Sequence, residues 1–108
     1  MFNGYQKAQE VITSLGTSDV FAIARAFGVT IEHGSWYPLT IGEFERRTNT
    51  IRVNKWAMAG KPLAKLESRI IAHELGHFFA RGLELDTAAE EEFAHSFANG
   101  LIGEVQEV

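Results

Sequence analysis

Two histidines stand four residues apart, with a glutamate directly after the first, in Ile70–Ile71–Ala72–His73–Glu74–Leu75–Gly76–His77–Phe78–Phe79. Residues four apart on an α-helix are neighbours on one face, so in a helix the two imidazoles can reach one point. Glu74 then lies about 100° further round. The flanking residues predict a helix. Leu63, Leu66, Ile70, His73, His77 and Ala80 follow alternating steps of three and four, which make one continuous stripe. Pro62 suits the first turn and Gly82 falls just past the end. Arg81 stands near the negative helix terminus, where a cation is favoured. The first half of the stripe is apolar, so the histidines are expected to face inward. Inward histidines need polar partners. A metal ion would supply them; ordinary hydrogen bonds in the core are the plainer alternative.

His-Glu-x-x-His on a helix has a definite chemistry. His73 and His77 act as ligands, and Glu74, turned away from them, can reach a water on the metal as general base. A catalytic zinc usually takes three protein ligands and keeps one position open. The metzincin pattern would need Gly at position 80 and His at position 83, but these are Ala80 and Leu83. The chain has no cysteine, so thiolate ligands, a cysteine nucleophile and disulfides are excluded. The acidic run Glu90–Glu91–Glu92 opens the last helix. Thr87 with Glu90 three residues on reads as a capping box, which gives Glu90 a competing role. Glu92 has Ser96 four residues later, on a more polar side. Glu91 shares a face with Ala94, His95 and Ala98. The residues favour Glu91, with Glu90 the alternative; for all three a solvated acidic first turn, favoured by the helix dipole, is the plain reading. Two histidines and one carboxylate also suit iron(II), although the adjacent Glu74 favours zinc hydrolysis.

The rest of the chain reads as one domain over residues 1–108, of class α+β. Tyr5–Leu15 reads as a helix stopped by Gly16. Val20–Phe27 reads as a second, capped by Ser18 or Thr17, favoured by Asp19 and ended by Gly28. Val29–His33 is an expected strand. Leu39–Arg46 and Thr50–Asn54 are expected to form an antiparallel hairpin across Arg47–Thr48–Asn49, a turn without glycine. Thr87 to about Ile102 is the final helix, with Ala89, Phe93, Ala94, Phe97, Ala98 and Leu101 on its apolar side. A net charge of −4 with scattered basic residues gives no electrostatic case for direct nucleic-acid binding. No apolar run approaches a membrane span, and Met1–Glu10 lacks the layout of a secretion signal; a cytoplasmic location is the expectation.

These residues together resemble the ImmA/IrrE-type metallopeptidases, within the gluzincin group. The resemblance covers about residues 18–102. Asp19–Val29 is similar to the family's leading helix and strand. Gly42–Glu43–Phe44 with Thr50–Ile51–Arg52–Val53–Asn54 resembles its hairpin, and His73–His77 is followed by Glu91-x-x-Ala94-x-x-Phe97-Ala98. The resemblance implies a zincin-like fold, zinc on His73, His77 and Glu91, and Glu74 as general base. It implies a protein or peptide substrate, and by family habit a transcriptional repressor. Where the family often has Asn or Asp four residues after the ligand glutamate, this chain has His95. His95 is then a candidate to brace a zinc histidine from behind, to bind a developing oxyanion or to act as a further ligand. Tyr37 and His33 are weaker candidates for the oxyanion role; packing of a loop over the core is the expectation for Trp36–Tyr37, and exposure for His33.

Two other functions stand beside an active peptidase. One is a latent metal-binding core that serves as an interaction module. The other is a structural domain with two core histidines and no metal, which would tolerate His77→Ala.

Overall fold

The first helix, α1 (Gly4–Leu15), is set by its two ends. The Asn3 side chain accepts the Gln6 backbone N–H, and the Gln6 side chain accepts that of Asn3, a full capping box. Gly16 closes it in the left-handed conformation, as expected. In α2 (Val20–Ala26) the cap is Asp19, not Ser18 or Thr17. Asp19 accepts the Phe21 N–H, while the Thr17 hydroxyl accepts the N–H of Asp19 itself. The computed structural model describes residues 3–36, 40–56 and 63–103 of the chain. The expectations for Tyr37, for the strand start at Leu39 and for Pro62 lie outside these residues.

Among the described residues three strands follow: β1 (Thr30–Gly34), β2 (Gly42–Glu45) and β3 (Thr50–Asn54). The expected hairpin is present, with β2 antiparallel to β3 and Phe44 opposite Ile51. Its glycine-free turn closes because Asn49 takes a left-handed conformation, φ 49°, which asparagine tolerates better than most residues. β3 also pairs in parallel with β1, so the strand order is β1-β3-β2. The chain runs from β1 to the outer strand β2 and returns into the middle. β3 accordingly has both Ile51 and Val53 fully buried. Asn54 ends it, also fully buried. Its amide donates to the Trp36 and Thr40 carbonyls and accepts the Trp56 N–H, which ties the β1–β2 connection to the sheet.

Two long helices follow, α3 (Leu63–Ala80) and α4 (Thr87–Ile102). Among the described residues, the mix of four helices and a small three-stranded sheet is α+β. The core joins Val11 of α1, Ile23 of α2, Ile51 and Val53 of β3, Ile71 and Leu75 of α3, and Phe97 of α4. Apolar burial at each large position contributes about 1.5–3 kcal/mol. α1 lies along α4: the Tyr5 N–H donates to the Ser96 hydroxyl and the Gln9 amide to the Gly100 carbonyl. Among the described residues no helix is long and apolar enough to cross a membrane.

Two further expectations are corrected. The cap of α4 is Asp86, whose side chain accepts the Ala89 N–H; Thr87 is the first helical residue and forms no capping box with Glu90. The fully buried row of α3 is Ile71, Ala72 and Leu75, with Phe78 nearly so. The histidine row lies one residue round, half-buried. α3 packs on both α4 and the sheet, so the edge of its buried face, not its centre, opens into a cleft.

Candidate metal centre

The cleft lies between α3, the start of α4 and β2, with a volume of ≈ 380 Å³. It is lined from α3 by His73, Glu74 and His77, and from α4 by Glu90 and Glu91. Gly42, Glu43 and Phe44 of the outer strand form the opposite wall, with Arg46 just beyond. Two close approaches build it. Gly76 lets α4 come against α3: a Cβ there would lie 2.5 Å from the Ala94 Cα. Gly42 seats β2 on α3, since a Cβ at that position would meet Ile70 at 2.4 Å. The first brings Glu91, almost one turn before Ala94, over the two histidines. The second brings the strand beside Glu74.

The helix does what the four-residue spacing requires. The His73 and His77 rings lie 5.1 Å apart between centroids. His73 Nε2 is 2.6 Å from Glu91 Oε1, and His77 Nε2 is 3.2 Å from Glu91 Oε2. The ligand-type atoms of His73, His77 and Glu91 all lie within 4.8 Å of one another, so this group could hold a metal ion. Two imidazole nitrogens and one carboxylate, open on one side to a cleft, are the donor set of a three-ligand site with a free position.

Glu90 is placed differently from the reading of it as a cap or an alternative ligand. One of its oxygens accepts from His77 Nδ1 at 2.7 Å, and the other from Arg46 Nη2 at 2.5 Å. Burial works against its charge, but these two partners prevail and hold its carboxyl below the usual range. Glu92 is exposed and does not line the cleft. Ser96, read as marking a polar side with Glu92, instead faces α1.

Glu74 points into the cleft from the same helical turn as His73. Burial raises its carboxyl from 4.5 to about 7, helped by the negative charges of Glu91 and Glu43 and opposed by His77. Burial also lowers the His73 imidazole below its usual 6.5; Glu91 pulls it back up, while His77 and His95 add to the lowering. His95 is exposed on α4, felt by His73 as a charge but outside the cleft lining and the ligand group. His33 lies on β1, the other edge of the sheet, where it pairs with Glu67 at 3.0 Å; it is not part of the cleft.

The partnership of Glu90 with Arg46 had no local signal in the sequence, because it joins residues 44 apart through side chains alone. Compared with protein-family models, curated proteins and solved structures, the chain matches none.

Proposed function

We propose that this chain is a zinc-dependent peptidase core of the ImmA/IrrE type, with a zincin-like arrangement of its active-site helix. One juxtaposition carries this reading: the His73–His77–Glu91 group and the Glu74 carboxyl share a cleft whose far wall is an edge strand. His73, His77 and Glu91 would hold the zinc. Bound there, the ion supplies Lewis-acid polarisation of a carbonyl and a nucleophilic water at neutral pH. Glu74 takes the proton of the attacking water and delivers it to the leaving nitrogen. A carboxyl shifted towards neutrality is well matched to that exchange. Among the described residues β2 pairs with β3 alone, which supports its other edge as the place where an extended peptide adds as a strand. The substrate is accordingly an extended protein segment; by the family resemblance, it belongs to a transcriptional repressor.

The test is metal content and cleavage measured together. Dialysed wild-type protein should retain about one zinc per chain and cleave a candidate repressor. Glu74→Gln should keep the zinc and lose the cleavage. Zinc with binding but no cleavage in wild type would make the chain an interaction module. No uptake on zinc titration would sink the metal reading altogether.

A further inference from the structure

We propose that Glu90, anchored by Arg46, is a positioning residue that fixes the His77 ring so that Nε2 faces the metal site. This rests on the metal centre proposed above. Three elements meet at one carboxylate: Arg46 from the β2–β3 turn, Glu90 from the first turn of α4, and His77 from the last turn of α3. Each oxygen of Glu90 has its own partner, Oε1 with Arg46 at 2.5 Å and Oε2 with His77 Nδ1 at 2.7 Å.

A neutral imidazole carries one N–H and one lone pair. Glu90 accepts at Nδ1 and so selects the form with the proton there. The lone pair is left on Nε2, the nitrogen that faces Glu91 at 3.2 Å. Arg46 fixes the carboxylate in turn, because its guanidinium occupies the oxygen that would otherwise be free to rotate away. A ligand imidazole held through its other nitrogen is better oriented and more basic. The adjacent glutamates Glu90 and Glu91 thus divide the work: Glu91 lies at Nε2 of His77 and Glu90 at Nδ1. Arg46 also makes the hairpin that forms the cleft's far wall a support for a ligand on α3.

The experiment uses the full chain with 15N-labelled histidine. In metal-free protein at alkaline pH, long-range proton–nitrogen spectra should show the proton of the neutral His77 ring on Nδ1. Glu90→Ala should lose that preference and weaken zinc binding, measured by chelator competition, by about 10–100-fold. Glu90→Gln, whose amide oxygen can still accept from Nδ1–H, should retain most of both. Arg46→Met should fall between them. An Nδ1–H form that persists in Glu90→Ala, or zinc affinity within about twofold of wild type, would overturn the proposal. If wild-type protein takes up no zinc, the peptidase reading fails, and the His77 spectrum alone still decides the role of Glu90.

Discussion

Ala94 of α4 packs against the backbone of Gly76 so closely that a Cβ on Gly76 would lie 2.5 Å from the Ala94 Cα and 2.9 Å from its carbonyl oxygen. The obstacle is backbone, which cannot swing aside as a side-chain tip can. Helix propensity alone would make Gly76→Ala stabilising by about 1 kcal/mol. Overpacking typically costs about 1–3 kcal/mol, and here relief requires α3 and α4 to move apart. Gly76→Ala is therefore expected to lower stability in urea unfolding and to weaken the proposed zinc binding by moving Glu91 off the histidines. A stabilised variant with normal affinity would show that the crossing is not tight.

The proposed third ligand is tested by comparing neighbours. Glu91→Ala should lose most zinc affinity, while Glu92→Ala, exposed and outside the cleft, should leave it unchanged. Isothermal titration with zinc reads both. Equal losses would point to the summed acidity of the run and not to one ligand.

Metal-free protein should respond to pH through Glu74. Its carboxyl is raised from 4.5 to about 7, chiefly by burial. Between those values the folded state holds a proton that the unfolded chain has released, so stability falls as pH rises through that window. The loss is complete above about pH 7 and is at most about 3 kcal/mol. Glu74→Gln removes it. His73, lowered below 6.5, works in the opposite sense: its contribution is present above 6.5 and lost as pH falls through its folded value. Urea unfolding between about pH 5 and 8 should thus show wild type losing stability with rising pH and Glu74→Gln not doing so. Parallel curves for the two proteins would refute the assignment.

Asp86 caps α4, so Asp86→Ala should cost about 1 kcal/mol and Thr87→Ala a few tenths at most. Thermal unfolding of the two variants decides between them. The reverse order would restore Thr87 as the cap.

Much of this architecture can be read along the chain. Apolar steps of three and four mark α3, and Gly16 and Gly28 mark helix ends. The placing of His73 and His77 on one face follows from helical geometry, and Glu91, favoured over Glu90 and Glu92 on the sequence, lies with them in the group that could hold a metal. The misreadings have physical causes. Asp19 and Asp86 each sit beside other residues able to cap, and only the backbone conformation chooses among them. The parallel pairing of β1 with β3 depends on residues 20 apart in register and leaves no mark in either segment. The exact face of α3 that is buried depends on how many neighbours the helix has, which periodicity does not count. Gly76 stands inside the motif, yet its reason lies on α4.

The first helix is supported by the last: Tyr5 and Gln9 bond to Ser96 and Gly100, and a Cβ on Gly4 would strike the Phe93 carbonyl. A ribosome releases α1 long before α4 exists. Its apolar side must therefore wait, uncovered, through the synthesis of about 70 further residues. Long-range contacts of this kind form late and slowly. Glu90 and Glu91 are made on the same late segment, so the candidate metal group and the seat of the first helix come into being together, only once α4 has left the ribosome.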